Sequence, residues 1–193
     1  MSKGANTIPQ TLSFTDHRRE LDQNQYLYAV VSRRSKGLSI GVNLNPDKAC
    51  NFDCPYCQVD RTIPGGSRRI DASLLENELA SLFALVRGGE LWNRPPFDTA
   101  APSMRVVRDV AIAGDGEPTA CPDFKLAMET IGDVLERSGL SIGNKNGIRF
   151  NLLTNATLFH RTTVAQGLEC FGDLGGEIWA KLVDQLAMYV SYV

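Results

Sequence analysis

The chain changes hydrophobic period repeatedly, and that alternation limits its fold more than any other feature. Leu38, Ile40, Val42 and Leu44 alternate with Ser39, Gly41, Asn43 and Asn45, the period of two expected of a strand. Asp71 then reads as the N-cap of a helix with Leu75, Leu79, Leu82, Phe83 and Val86 on one face, stopped by Gly88-Gly89. The strand period returns over Val106–Ala113. A second helix is expected from Pro122-Asp123, with Phe124, Ala127, Ile131, Val134 and Leu135 on its apolar face and Gly139 past its end. Ile148–Leu153 reads as a third strand, Thr162–Phe171 as a shorter helix, and Glu177–Val183 as a fourth strand. Strand and helix in strict alternation imply an α/β chain with a parallel sheet, and functional groups are expected in the loops that follow the strands. Before this pattern lies a polar stretch containing one short candidate strand, Tyr26–Val31. The proline-rich stretch from Glu90 to Ser103 reads as a loop.

Two unusual segments fall in those loops. After the first alternating strand comes Cys50-Asn51-Phe52-Asp53-Cys54-Pro55-Tyr56-Cys57. Three thiols at this spacing can surround one inorganic centre, and soft thiolates suit zinc or an iron–sulfur cluster. A structural zinc site takes four ligands, and so does an ordinary electron-transfer cubane. This loop offers three, with neither His17 nor His160 near in sequence. That points to a cubane with one iron left open. After the next strand comes Gly114-Asp115-Gly116-Glu117-Pro118-Thr119, which alone signals only a turn. The remaining cysteines, Cys121 and Cys170, read as small buried hydrophobes, and Trp92 and Trp179 as packing residues.

The 193 residues carry 20 Lys+Arg and 22 Asp+Glu, a net charge of −2, which argues against a broad basic surface for duplex nucleic acid. The five cysteines are an odd number with three clustered, unlike a secreted disulfide framework. No apolar run approaches the roughly 18 residues of a membrane span, and the polar start has no signal-peptide core, so a cytoplasmic location is expected.

At the cysteine loop the sequence resembles the radical S-adenosylmethionine superfamily, whose signature is Cys-x3-Cys-x2-Cys with an aromatic residue before the last cysteine, here Tyr56. The resemblance implies that Cys50, Cys54 and Cys57 bind three irons of a [4Fe-4S] cluster. The fourth iron would be chelated by S-adenosylmethionine, whose reductive cleavage yields a 5′-deoxyadenosyl radical that abstracts hydrogen from a substrate. It further implies an external electron donor of flavodoxin or ferredoxin type. The segment Gly114 to Pro118 resembles the family's Gly-Gly-Glu-Pro element, which contacts the cofactor's methionine amino group; Asp115 stands at the first glycine, while Gly116, Glu117 and Pro118 match. By the same resemblance, Asn155 and Lys181 are candidates for polar contacts to the cofactor.

The family core is a partial TIM-like barrel of six β/α units, of which about four are visible. The expected division is an N-terminal extension, 1–37, and a core, 38–193, that is incomplete at its C-terminus. A sheet cut there would leave an open edge for self-association. The sequence does not name a substrate. Competing expectations are a non-catalytic zinc or iron–sulfur module, and a fragment whose missing strands come from a partner.

Overall fold

The computed structural model describes residues 21, 24–140, 142 and 147–181. It is an α/β fold with one five-stranded sheet and three helices. Strand β1 is Leu27–Ser32 and β2 is Gly37–Val42; helix α1 is Ala72–Arg87; β3 is Val107–Ile112; α2 is Phe124–Arg137; β4 is Arg149–Thr154; α3 is Thr162–Asp173; β5 is Glu177–Ala180. The order across the sheet is β1-β2-β3-β4-β5. The strands β2 to β5 are parallel, as the alternation predicts, and β1 runs antiparallel against β2. The candidate strand Tyr26–Val31 is therefore part of the sheet, which begins on the N-terminal side of residue 38.

One face of the sheet is apolar. Ile40, Val110 and Phe150 stand in one row and Val42, Ile112 and Leu152 in the next, all buried. The helices cover this face: Phe150 meets Phe171 of α3 with ring centroids 4.7 Å apart, α1 packs on α2, and α2 on α3. Burial of each large aliphatic or aromatic side chain here contributes about 1.5–3 kcal/mol, which sets the strand registers.

The helix ends follow their local chemistry. Asp71 accepts the Leu74 N–H (3.0 Å) as the N-cap of α1, and Gly89 takes a left-handed φ of 76° just past its end. Asp123 does not cap α2 with its side chain; its carboxylate takes the Arg69 guanidinium and the Ile70 N–H instead. The stretch expected to be a plain loop, Glu90 to Ser103, holds three single turns of 3-10 helix over 90–93, 97–99 and 102–104 and sends Leu91, Trp92 and Phe97 into the core. Its apolar residues are too irregularly spaced to show a period. Trp179, expected to pack, is 40% exposed on β5, an edge strand of the described sheet. That strand ends at Ala180, with Lys181 just beyond it; the rest of the expected strand, through Val183, lies outside the described residues.

A buried carboxylate ties the start of β1 to α1. Glu78 accepts the backbone N–H groups of Gln25 (2.7 Å), Tyr26 (2.9 Å) and Leu27 (3.2 Å). The Tyr26 hydroxyl in turn accepts the Asp71 N–H (2.9 Å), and burial pushes this phenol above its usual range.

Candidate functional site

The loops that follow β2, β3 and β4 meet at one edge of the sheet, because parallel neighbours end side by side. Each joint between them can be traced to named groups.

The cysteine loop leaves β2 through Asn43 and Asn45, both buried. The Asn43 amide oxygen accepts the N–H of Asn45 (3.1 Å) and of Asp115 (3.0 Å), while its amide nitrogen donates to the Asp115 carboxylate (2.9 Å). This pairing accounts for the aspartate in the position of a glycine. Asp115 keeps a negative φ, and both its backbone and its side chain are taken by Asn43. The neighbouring glycines are required by close approach: a Cβ on Gly114 would lie 2.0 Å from the Asn43 amide oxygen, and one on Gly116 would lie 2.0 Å from the Ala49 carbonyl. The Glu117 N–H donates to that same Ala49 carbonyl (3.0 Å), one residue before Cys50. The second motif is thus bonded to the residue that immediately precedes the first.

Glu117 is 3% exposed, and its carboxylate holds the third loop in place. One oxygen accepts the N–H (3.2 Å) and hydroxyl (2.6 Å) of Thr119 and the hydroxyl of Thr154; the other accepts the Asn155 N–H (2.8 Å). Asn155, 5% exposed, donates from its amide to the Asn51 side chain inside the cysteine loop (2.9 Å) and accepts the N–H and hydroxyl of Thr157. Asn51 also donates to the Thr157 hydroxyl (2.7 Å). Pro118, buried, opens the short 3-10 turn 118–120 that carries Thr119. Lys181 lies exposed beside this edge, its N–H donating to the Thr154 carbonyl (2.9 Å).

The cysteine loop is closed at its base. The Lys48 ammonium donates to the carbonyls of Asp60 (2.7 Å) and Ile63 (3.0 Å), and the Gly66 N–H to the Pro46 carbonyl (2.7 Å). Cys50, Cys54 and Cys57 are half-buried and in no disulfide, and the Cys57 N–H turns back to the Cys54 carbonyl (2.9 Å). Tyr56 is 55% exposed. The Arg61 guanidinium donates to Cys57 Sγ (3.1 Å) and, with the Val59 backbone, holds this thiol below its usual range. Low thiol pKa favours the thiolate, which is the form that ligates metal.

Three reduced thiols on one loop suit a thiolate-bound cluster in their donor chemistry. Among the described residues no group of three or more His, Cys, Asp or Glu side chains is gathered to hold a metal ion, so ligation would require the cysteine side chains to converge. Also among these residues, no helix is long and apolar enough to cross a membrane.

Thr154, at the end of β4, was marked with Asn155 as the close of that strand, but sequence reasoning missed Arg61, Lys48, Asn43, Asn51 and Thr157. Only Asn43 left a trace, as a polar residue extending the strand pattern of β2. The others are ordinary loop residues whose roles depend on contacts across the fold.

Cys121, which follows the 118–120 turn, is 4% exposed and behaves as the buried hydrophobe expected. Burial pushes its thiol from 9.0 up to about 11. The unfolded chain therefore ionises this group first as pH rises. Its contribution to stability is intact below pH 9.0 and is lost between there and about 11, a fall of about 2–3 kcal/mol. Urea midpoints measured across this window should fall less steeply for Cys121→Ala than for the wild type.

The chain is similar to three curated proteins, each described as a UPF0026 protein. It is 27% identical over 143 residues to one from Helicobacter pylori strain J99, covering 74% of this chain and 38% of the relative. A second, from Helicobacter pylori strain 26695, is 28% identical with the same two coverages. A third, from Methanocaldococcus jannaschii, is 27% identical over 137 residues, covering 71% of this chain and 35% of the relative. No family model matches the chain, and no solved structure matches it. The chain thus spans well under half the length of these relatives.

Proposed function

We propose that this chain is the cluster-binding portion of a radical S-adenosylmethionine enzyme, built on part of a TIM-like barrel. The observation that carries the reading is the Glu117 N–H to Ala49 carbonyl bond, which sets the Gly-Asp-Gly-Glu-Pro loop against the start of the cysteine loop. A simple metal clip would not need that second loop. The sequential order of the parallel strands also favours a barrel arc over a sheet whose strand order reverses.

In this reading Cys50, Cys54 and Cys57 hold a [4Fe-4S] cluster, which supplies the electron that cleaves S-adenosylmethionine. Arg61 keeps Cys57 ready to bind as thiolate. The backbone of Gly114, Asp115 and Gly116, packed against Asn43 and Ala49, would hold the methionine part of the cofactor. Glu117 fixes that segment to the next loop, and its second oxygen, with one described donor, has room for another. Asn155 and Lys181 border the site from β4 and β5. An external electron donor of flavodoxin or ferredoxin type would supply the electron to the cluster.

Anaerobic reconstitution with iron and sulfide, followed by electron paramagnetic resonance of the reduced protein, tests the reading. The expected result is a cubane signal that changes when S-adenosylmethionine is added. A cubane signal indifferent to it would leave only an iron–sulfur module, and zinc with no cluster would refute the proposal.

A further inference from the structure

The segment that leaves the cysteine loop, residues 60–69, is exposed at every position and yet is fastened to the rest of the fold. The Lys48 ammonium holds the carbonyls of Asp60 and Ile63, the Gly66 N–H holds the Pro46 carbonyl, and the Arg69 guanidinium meets the Asp123 carboxylate beside α2. On this surface the Ile63 side chain is 59% exposed, and Tyr56, inside the cysteine loop, is 55% exposed. Single exposed apolar residues are ordinary, and these two would carry nothing by themselves.

Two further observations give the surface a direction. The Arg61 guanidinium forks between the Lys48 carbonyl (3.3 Å) and Cys57 Sγ (3.1 Å), so an exposed group of this segment reaches directly to a thiol of the cysteine loop. The charge is also one-sided. Residues 60–69 hold Arg61, Arg68 and Arg69 against Asp60 alone, in a chain whose net charge is −2. The Asp60 carboxylate is turned to the N–H (2.9 Å) and hydroxyl (2.6 Å) of Thr62, and Arg68 pairs with no carboxylate among the described residues. Apolar contacts among charged neighbours are the make-up of a protein interface.

We propose that residues 60–69, with Tyr56, form the docking surface for a small acidic electron-transfer protein. The choice of occupant rests on the cluster reading above, because an electron carrier must dock beside the cysteines it serves. Acidic side chains around the carrier's redox centre complement the three arginines, while Ile63 and Tyr56 supply the apolar contact. Such encounters are small and steered by charge. A nucleic acid is less well served, since three arginines, one already paired with Asp123, neutralise few phosphates.

The probe is an acidic, FMN-loaded flavodoxin, immobilised and titrated with the 193-residue chain by biolayer interferometry, with the chain both reconstituted and cluster-free. Cluster content is read separately by electron paramagnetic resonance. Binding should weaken about tenfold when sodium chloride is raised from about 50 to about 300 mM. Arg68→Glu and Ile63→Asp should each weaken it about tenfold, with the cubane signal and the urea midpoint unchanged. Arg87→Glu makes the same change of charge at the opposite end of α1 and should bind as the wild type does. The proposal is overturned if Arg68→Glu and Ile63→Asp bind as tightly as the wild type, or if Arg87→Glu weakens binding equally. It is also overturned if a short single-stranded RNA binds the chain and flavodoxin does not. A cubane signal without flavodoxin binding strikes the docking surface and leaves the cluster. Binding that depends on Arg68 in a chain that takes up no cluster keeps the surface and removes the cluster reading.

Discussion

Cys54→Ala is expected to abolish cluster uptake while leaving the fold intact. Two thiolates cannot hold a cubane whose fourth iron is reserved for an exogenous ligand, so reconstituted iron content and iron–sulfur absorbance should fall to background, a loss of about tenfold or more. The loop itself should survive. Its closure comes from the Lys48 ammonium, the Gly66 N–H and the Asn51–Asn155 pair, and the Cys54 carbonyl that accepts the Cys57 N–H is backbone. Far-ultraviolet circular dichroism and the urea midpoint of the cluster-free variant should match the wild type. Full iron content in the variant would remove Cys54 from the ligand set.

Glu117→Ala is expected to act in the opposite order, damaging the fold before any cofactor is added. The substitution strips the acceptor from Thr119, Thr154 and Asn155 in a buried setting. Each donor left unpaired there costs about 1–3 kcal/mol, so a total loss of about 3 kcal/mol or more is expected even after relaxation. That is a large part of the 5–15 kcal/mol typical of a domain. The urea midpoint of the cluster-free protein should drop accordingly. Glu117→Gln retains an acceptor and the side-chain shape and should fall between the two. A midpoint unchanged in Glu117→Ala would mean that the three loops are held together by other groups.

The contrast between these two residues shows what the sequence made legible. Strand β2 was readable because Leu38, Ile40 and Val42 recur with a period of two, and α1 because Asp71 and Gly88-Gly89 mark its ends by local chemistry. The cysteine spacing was readable because its three thiols lie within eight residues. The work of Glu117 was not, since its partners Thr154 and Asn155 lie 37 and 38 residues away and carry no pattern of their own. The resemblance placed Glu117 at a cofactor's amino group; the fold gives its carboxylate four protein donors. Leu91 and Phe97 were hidden for a different reason, while Trp92 packs in the core as expected: single turns of 3-10 helix bury residues without any recurring spacing. The full register of β1 against β2 is likewise a tertiary fact, because nothing in Tyr26–Val31 names the strand it pairs with.

That pairing has a consequence for the shape of any larger assembly. A sheet of parallel strands becomes a closed barrel only when its last strand bonds to the free edge of its first. Here the edge of β2 away from β3 is filled along its whole length, from Gly37 to Val42, by the antiparallel β1, whose start is fastened to α1 through Glu78. Strands added beyond β5 cannot complete a ring through β2. Any ring completed by strands beyond β5 would have to close on the outer edge of β1, the antiparallel member of the sheet.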